Sequence, residues 1–318
     1  MRCLFPIRLK VLIIALFALP LYTSAQNYDY VGRIDGYFNL SPAGAATYSI
    51  PLKLRDGYSS FTPSISLTYS SQSGNGIAGF GWSLSGLSSI NAVGHSRYFD
   101  GDNISGVCAN TNDAYAIDGK RLLLTSGINS RKGAKYTTED DNNQIISIDS
   151  AFATTPKSFV VRQPDGTRLR YGFNSNAIFR TPNRYSQKAI AWLCDYATDI
   201  NGNSIKYVYS YYNNVPLLNR VEYGKNNNTG PLCTVSFVYE GRPDTVSTYV
   251  AGQKFILAHR LASIEYRYNN TLYRKLTLAY NNDSYYSHLV SIKETGSDGK
   301  GMPTTQFVWE NLHDTQIS

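Results

Sequence analysis

The sequence is poor in the residues on which most enzymes and nucleic-acid-binding proteins depend. Charged residues make up only 17% of its 318 residues, below the usual quarter of a soluble domain. The cations form no basic run or groove motif, so nucleic-acid binding is not expected. Only four histidines are present, and they match no metal-ligand spacing: His95, His259, His288 and His313. We therefore expect no metal site.

Cysteine is equally scarce, which excludes a dense disulfide framework. Cys3 lies in the N-terminal leader described below, and Cys108, Cys194 and Cys233 remain. An odd number of cysteines in an exported chain allows either one disulfide with a free thiol or three buried thiols. The spacing fits no zinc pattern. The sequence leaves the pairing open.

Only one long apolar run is present, and it lies at the N-terminus. It covers residues 11–21, after Arg2, Arg8 and Lys10 and before a small-residue cleavage site at Ala25. This pattern is typical of a signal peptide and too short for a spanning helix, although a retained anchor is the alternative. We expect residues 1–25 to be cleaved and the chain to be secreted to the periplasm, the cell surface or the medium. No membrane span is expected in the mature chain, which keeps 27 cations against 23 acidic residues.

Tyrosine is abundant, with 26 residues, and aromatic residues reach 13%. This composition favours β-strands. Asp118-Gly119, Asp165-Gly166 and Asn201-Gly202-Asn203 separate alternating apolar runs, which is a strong hairpin signal. We predict an all-β fold of extended antiparallel sheets built from consecutive hairpins, in a shell-like or sandwich-like arrangement whose tyrosines line one face. The only helix expected in the mature chain is a short one near 254–260, and Pro51 predicts an edge or a bulge in its strand.

Residues 69–90 are the most unusual stretch, because glycine and serine alternate there with large apolar residues. Glycine at this density disfavours a helix, and the apolar residues disfavour a solvated linker. We expect sharply turning backbone that packs closely against a core. Its glycines and its tryptophan are Gly74, Gly76, Gly79, Gly81, Gly86 and Trp82.

Three motifs in the chain imitate functional ones. Gly74–Gly79 matches the letters of a dinucleotide fingerprint, but Phe80–Gly86 cannot form the helix that binds the pyrophosphate, so no cofactor is expected. Gly81–Gly86 nearly matches a nucleophile elbow, with its second glycine one place late. Asp199–Asn203 suggests the start of a calcium loop, but glycine is fourth rather than sixth and the twelfth residue is Ser210.

Many short runs, in order, resemble the SpvB-type domain of plasmid virulence proteins and of the B components of insecticidal Tc toxins. The resemblance covers roughly residues 40–310. The runs that carry it are ATYSIPLKL, PSISLTYSSQSGNGIAGFGWSLSGLSSI, YAIDGKRLLL, SFVVRQPDGTRLRYGF, DINGNSIKYVYSYY, VSFVYEGRPD, HRLASIEYRY and PTTQFVWE. The hairpin units are also similar to the YD repeats of Rhs proteins, which belong to the same toxin architecture.

The resemblance implies a non-catalytic structural and interaction module of a toxin or virulence protein. In that family a propeller follows, and Rhs-type repeats complete a shell around a toxic polypeptide. The expected partner is therefore an Rhs-type shell or propeller polypeptide, or a second copy bound through open sheet edges. The motif residues, which we expect to be structural, are Gly74, Asn75, Gly76, Gly79, Gly81, Trp82, Ser83, Gly86, Asp118, Gly119, Asp165, Gly166, Asn201, Gly202, Asn203, Arg242, Pro243 and Asp244.

The expected organisation is a signal peptide (1–25), a polar approach segment (26–44), the SpvB-type β domain (45–312) and a tail (313–318). The β domain could comprise two packed parts, 45–150 and 151–312. The sequence ends about where the propeller would begin, so we expect a truncated or split copy, or a chain that acts with a separate partner.

Two other functions remain as alternatives. One is a surface adhesin or carbohydrate-binding module that uses exposed aromatics such as Tyr212 and Tyr249. The other is an ADP-ribosyltransferase, although the Glu-x-Glu pair of that fold does not occur in the sequence.

Overall fold

The computed structural model describes residues 32–140, 144–183, 187–225, 230–281 and 285–309. The expected signal peptide and the tail at 313–318 lie outside the described residues. Within these ranges the chain forms 22 strands, one short α-helix and one 3-10 turn (Ser175–Ala177). The prediction of an all-β fold is confirmed.

The strands follow one another with short connections, and one four-residue helix, α1 (Arg97–Asp100), lies between β7 and β8. The strands are β1 (Tyr37–Leu40), β2 (Ala46–Pro51), β3 (Ser66–Ser70), β4 (Asn75–Gly76), β5 (Gly79–Phe80), β6 (Trp82–Ser85), β7 (Ser89–Val93), β8 (Ala114–Ile117), β9 (Lys120–Ser126), β10 (Lys135–Thr138), β11 (Ile145–Ala151), β12 (Pro156–Arg162), β13 (Arg168–Tyr171), β14 (Ile178–Arg180), β15 (Ala189–Thr198), β16 (Ser204–Tyr212), β17 (Val215–Lys225), β18 (Cys233–Val250), β19 (Gln253–Tyr268), β20 (Thr271–Asn281), β21 (His288–Gly296) and β22 (Thr305–Gln306).

Eight of these strands close into a barrel. Strands β7 to β13 pair in sequence order, and β15 pairs with both β7 and β13, which completes the ring. Closure removes the sheet edges that would otherwise be exposed. Large side chains fill the interior, among them Tyr115, Phe159, Tyr171 and Trp192, each buried to 1% exposure or less.

The same sheet continues from β15 through β16 to β22 and forms one layer of a sandwich. A four-stranded sheet in the order β1-β2-β3-β6 forms the other layer. Ile50 and Leu67 from the small sheet pack with Val235, Ile264 and Leu276 from the large one. The molecule therefore has two main cores, and β15 belongs to both. The domain boundaries given above remain predictions. The chain passes from the sandwich core to the barrel core near residue 89 and returns to the sandwich core near residue 198.

The tyrosines do not line a single face, which corrects the prediction. Tyr115, Tyr136 and Tyr171 lie inside the barrel, whereas Tyr209, Tyr223 and Tyr266 lie in the sandwich core. The reason is that the closed barrel encloses one face of its strands, so the tyrosines on that face belong to a core of their own. Alternation of apolar and polar residues along a strand indicates that one face of the strand is buried, but it does not indicate in which core that face lies.

The predicted helix near 254–260 is wrong, because these residues lie within β19. Each of them but Ala258 is paired with a residue of β18. Phe255 packs against Ala109 and Ile190 at the barrel. Long-range strand pairing outweighs the weak local preference for helix.

Other segments hold more structure than their polarity predicted. Residues 94–118, which are rich in glycine, asparagine and aspartate, contain α1 and β8, the polar residues 126–150 contain β10 and most of β11, and the predicted approach segment contains β1. Pro51 ends β2 at a point where β1 no longer pairs, because β1 reaches only as far as Ser49. All three remaining cysteines are free thiols, and Cys108 is exposed rather than buried.

The predicted hairpin turns are formed. Asp118-Gly119 joins β8 to β9, with φ of 46° and 83°. Positive φ at both central residues is typical of a type I′ turn. The second Asp-Gly turn joins β12 to β13, and the Asn-Gly turn joins β15 to β16.

Candidate functional site

The glycine-rich stretch meets the Arg-Pro-Asp motif in a buried cluster, which we call the clamp: Asn75, Gly76, Arg242, Asp244 and Ser287. Asn75 and Gly76 form β4, and Arg242 to Asp244 lie where the pairing of β18 with β19 shifts register. Asn75 Nδ2 donates to Asp244 Oδ2 at 2.7 Å, and Arg242 Nη1 donates to the carbonyl of Gly76 at 2.7 Å. Arg242 Nη2 also donates to Asn75 Oδ1. The predicted motif residues of two distant segments thus contact one another directly.

An ion pair stands at the centre of the clamp. Arg242 Nη2 lies 3.0 Å from Asp244 Oδ2, and the two side chains are 0% and 7% exposed. The Ser287 backbone N–H and hydroxyl both donate to Asp244 at 2.5 Å. Burial alone would raise the pKa of Asp244, but hydrogen bonds from Arg242, Ser287 and Asn75 hold it well below its ordinary value. Asp244 is therefore a fully bonded carboxylate.

The clamp extends to the neighbouring strands. Arg260 Nη1 donates to the Ser287 hydroxyl at 2.6 Å, and its Nε donates to Glu240 at 2.7 Å. Phe80 N donates to the carbonyl of Ser287 at 2.8 Å. A Cβ on Gly79 would lie 2.6 Å from that carbonyl, so this close approach requires glycine. The glycine-rich stretch is thereby fixed to the large sheet.

The hydrogen bonds of the clamp hold two distant segments of the chain together. Both oxygens of Asp244 accept hydrogen bonds from protein donors, so this carboxylate is engaged within the protein. Across the described ranges, no group of three His, Cys, Asp or Glu residues is placed to hold a metal ion.

The other predicted motif residues lie apart from the clamp. Asp118 accepts from Ser89 N at 2.8 Å and from the Ser88 hydroxyl at 2.7 Å. Asp165 accepts from Thr167 N at 2.8 Å in its turn. The backbone N–H of Asn203 donates to Asp199 at 2.8 Å. The turns at Asp165 and Asp199 are thus closed by local hydrogen bonds, so the calcium-like residues are engaged in hairpin geometry, whereas Asp118 binds its turn to the start of β7.

Trp82, which lies between the motif residues Gly81 and Ser83, belongs to a row of aromatic side chains that the sequence analysis missed. Phe38, Tyr48, Tyr69 and Trp82 are successive cross-strand partners in β1, β2, β3 and β6. Directly opposite residues share a sheet face, so the four rings form one row, which we call the aromatic ladder. Its inner members are covered by Phe307, which lies 5.0 Å from Trp82 between ring centroids. Phe38 at the end of the row is 67% exposed.

A cleft of about 470 Å³ lies between the aromatic ladder and the last described strand segment. Tyr48, Tyr69 and Trp82 form one wall, and residues 305–309 form the other. Among the described residues, β22 pairs only with β21, and Phe307 N donates toward β21 to the carbonyl of Val290. Because alternate residues of a strand point their backbone groups to opposite edges, the N–H of Gln306 faces away from the sheet. As far as residues 32–309 are described, the sandwich is thus open at this edge.

A buried carboxyl lies on β15, the strand that the two cores share. Asp195 is 5% exposed, and its Oδ2 accepts from Asn174 N at 2.5 Å. Its Oδ1 has no hydrogen-bond partner among the described residues. Burial raises the pKa of Asp195 to about 6, an effect that the hydrogen bond from Asn174 and the charge of Arg170 only partly offset.

This raised pKa predicts a pH dependence of stability. The folded protein binds the Asp195 proton more tightly than the unfolded chain, so this contribution is complete below the unfolded pKa of about 3.9 and is lost as the pH rises through about 6. We expect Asp195→Asn to raise the free energy of unfolding at pH 7 by up to about 2 kcal/mol, with little effect near pH 4. Urea unfolding across this range measures it, with Asp102→Asn as an exposed control. An equal effect of Asp195→Asn at both pH values would contradict the assignment.

These features define a class of protein: an all-β module in which a closed barrel is joined through one strand to an open-edged sandwich. The family model described as Salmonella virulence plasmid 65kDa B protein matches residues 40–229, more than half of the chain. The chain belongs to the SpvB family. No curated protein matches its sequence.

Solved structures share this fold. The crystal structure of TcdB2-TccC3 superposes with a TM-score of 0.72 at 18% identity and covers 89% of this chain. The N-terminal domain of effector protein SpvB from Salmonella typhimurium strain LT2 gives a TM-score of 0.64 at 19% identity and covers 78%. The Photorhabdus luminescens Tc holotoxin pore gives 0.70 at 17% identity and covers 89%.

The extent of the match differs between these structures. The chain spans 17% of the length of the TcdB2-TccC3 chain and 16% of the holotoxin chain, but 98% of the SpvB N-terminal domain. Its fold therefore matches a small part of each of the two Tc chains and nearly the whole of the SpvB N-terminal domain. Separately, the described part of the chain contains no helix of the length and hydrophobicity that a membrane-spanning helix requires.

Proposed function

We propose that this chain is a non-catalytic structural and interaction module of a secreted Tc- or Rhs-type toxin, in which it forms part of a β shell that encloses or presents a toxic partner. The observation that carries the proposal is the open edge of the sandwich. The inner rings of the aromatic ladder face residues 305–309 across the cleft, and β22 has one unpaired edge among the described residues.

The geometry of this edge favours strand addition. An extended polypeptide placed beside β22 would pair with the outward N–H of Gln306 and lie next to the cleft that Tyr48 lines, and the exposed Phe38 is the cross-strand neighbour of Tyr48. Such addition obtains affinity from main-chain hydrogen bonds and specificity from alternate side chains. The cleft is lined by aromatic and uncharged residues, which suits apolar side chains on the incoming strand.

The proposed partner is an Rhs-type shell or propeller polypeptide, or a second copy of this chain. The likeness to TcdB2-TccC3, whose title names two toxin components, supports a partner from the same toxin class. The signal peptide proposed at residues 1–25 would export the chain. Both partners use the same edge, so one set of variants tests both.

The first test of this surface is a pair of matched charge substitutions. Phe38→Lys places a cation on the exposed end of the aromatic ladder and is expected to weaken association about tenfold or more, because a charge at an edge must be desolvated when a strand is added. Tyr249→Lys is the control, because Tyr249 is equally exposed at 69% but lies in the β18–β19 hairpin. Sedimentation velocity of the chain alone and with a candidate partner measures the effect. This edge would be rejected as the interface if both substitutions weakened association equally or if neither weakened it.

We further propose that the chain has no enzymatic activity of its own. The sequence lacks the Glu-x-Glu pair of an ADP-ribosyltransferase, and the clamp carboxylate is occupied by protein donors. An NAD hydrolysis assay on the purified chain tests this proposal. Turnover above buffer would overturn it.

The carbohydrate-binding alternative receives less support. Tyr212 packs against Tyr239 and His259, with ring centroids 5.4 Å and 4.8 Å away. Tyr249 is exposed, but a lone ring offers one stacking face. A glycan array with Tyr212→Ala as a control separates this role from a protein-binding one.

A further inference from the structure

One histidine joins two parts of the segment between β7 and β8, numbers 94–113, which Arg121, Asn129 and Ser130 bind to the barrel strands and their connections. His95 follows directly after β7, and its backbone N–H donates to the carbonyl of Ser105 at 2.9 Å. Its ring Nε2 lies 2.5 Å from the carbonyl oxygen of Asn112, near the end of the segment. Its Nδ1 lies 2.8 Å from Asp100 Oδ1, at the end of α1. One ring therefore contacts two separate parts of this segment.

Two charged groups face the His95 ring. Asp100 is an ion-pair partner rather than a well-aligned hydrogen-bond acceptor, and it also accepts from Arg121 Nη2 at 2.8 Å. Arg121, from β9, donates through Nη1 to the carbonyl of Gly94 at 3.0 Å. The three side chains are between 11% and 18% exposed, so solvent screens their interactions only in part.

Both ring nitrogens of His95 face acceptor oxygens, and only the charged ring presents an N–H to each of them. An imidazolium carries two N–H groups, whereas neutral imidazole carries one. We propose that His95 is a pH-dependent latch, which joins α1 to the end of the 94–113 segment when it is protonated and releases one of these two contacts when it is neutral. The site is separate from the clamp and from the open edge, so the inference goes beyond the proposed function.

The direction of the pH effect follows from the contacts. The hydrogen bond to Asn112 and the interaction with Asp100 raise the pKa of His95 above its ordinary value, against the smaller opposing effects of burial and of Arg121. A raised folded pKa means that the latch is complete below about pH 6.5 and is lost as the pH rises through the folded value.

Release of the latch would reach beyond the segment itself. Ala109 is 1% exposed and packs against Ile190 of the barrel and Phe255 of the β18–β19 hairpin. Cys108 N and Asn110 N both donate to Asp113, which keeps this turn compact. The latched segment thus connects the barrel to the long hairpin of the sandwich sheet, so the latch controls a contact between the two halves of the fold.

Hydrogen exchange measured by mass spectrometry on the full chain tests the latch. After correction for the pH dependence of intrinsic exchange, we expect protection of peptides covering 104–113 to fall about tenfold or more between about pH 6 and about pH 9, while protection of β12 stays constant. His95→Gln, which cannot become charged, is expected to show the low protection at both pH values. His259→Gln is the matched control and should behave as the wild type.

Two results would overturn the proposal: equal corrected protection of 104–113 in the wild type at both pH values, or wild-type behaviour of His95→Gln. If His95→Gln fails to fold, an NMR titration of the His95 ring in the wild type decides. A ring pKa above about 6.5 supports the latch, and one at or below about 6.5 rejects it.

Discussion

Asp244→Ala is expected to lower the free energy of unfolding by about 3–5 kcal/mol. The substitution removes the acceptor of Arg242, whose side chain is 0% exposed, and leaves that guanidinium buried without its countercharge. It also removes the acceptor of the Ser287 N–H and the nearer acceptor of Asn75 Nδ2, which keeps only the backbone carbonyl of residue 244 at 3.4 Å. Each donor that loses its acceptor destabilises the fold further, because water does not reach the buried site to replace the hydrogen bond.

Urea unfolding at pH 7 measures this effect, with Asp102→Ala as the control because Asp102 is 98% exposed. A combined Arg242→Met and Asp244→Leu variant is expected to cost less than Asp244→Ala alone, because no charge is then left buried. A loss below about 1 kcal/mol for Asp244→Ala would show that the clamp does not hold the glycine-rich stretch in place.

Gly86→Ala is expected to cost about 3 kcal/mol or more, the second large effect. Gly86 has a φ of +86°, which disfavours any residue with a Cβ, and the added Cβ would overlap the carbonyl oxygen of Ser64. The overlap is with backbone, so a side-chain rotation cannot relieve it. The backbone would have to shift in the short connection between β6 and β7, where the chain passes from the sandwich to the barrel.

The same stretch offers a matched control for this prediction. Gly74 has no described atom within 4 Å of an added Cβ, so Gly74→Ala is expected to change stability by no more than about 0.5 kcal/mol. Thermal and urea unfolding of both variants compare them directly. Similar losses for the two variants would mean that general glycine flexibility, rather than close packing at Gly86, determines the stability of this stretch.

The local features of the fold were predictable from the sequence because their causes are local. Asp118-Gly119 specifies a type I′ turn through the positive φ of both residues. The alternation in β16 predicts a strand with one buried side. The glycine density of residues 69–90 predicts close packing, and Gly79 and Gly81 do adopt positive φ.

The non-local features were not predictable in this way. Pairing of β13 with β15 closes the barrel, and no local pattern in either strand specifies its partner. The helix predicted at 254–260 is a strand because β18 pairs with it. Polar segments such as β10 and β11 carry too little apolar alternation to be recognised as strands.

The candidate site divides in the same way. Asn75, Arg242 and Asp244 were identified as motif residues, but Asn75 and Asp244 are 169 positions apart, and their contact is visible only in the structure. Ser287 and Arg260, which complete the clamp, carried no sequence signal. The aromatic ladder was missed because its four rings come from four strands, each of which contributes one aromatic residue that looks like ordinary core.

The most direct test of the account is the solution mass of the mature chain, measured by light scattering alone and with an Rhs-repeat or propeller polypeptide. If the open edge is a binding surface, the wild type will form a dimer or a complex of defined mass, and Phe38→Lys will weaken its association about tenfold or more while Tyr249→Lys will not. The account would be contradicted by a wild-type chain that stays monomeric up to about 100 µM and does not bind these polypeptides. At that concentration a complex with a Kd of about 1 µM would be largely formed.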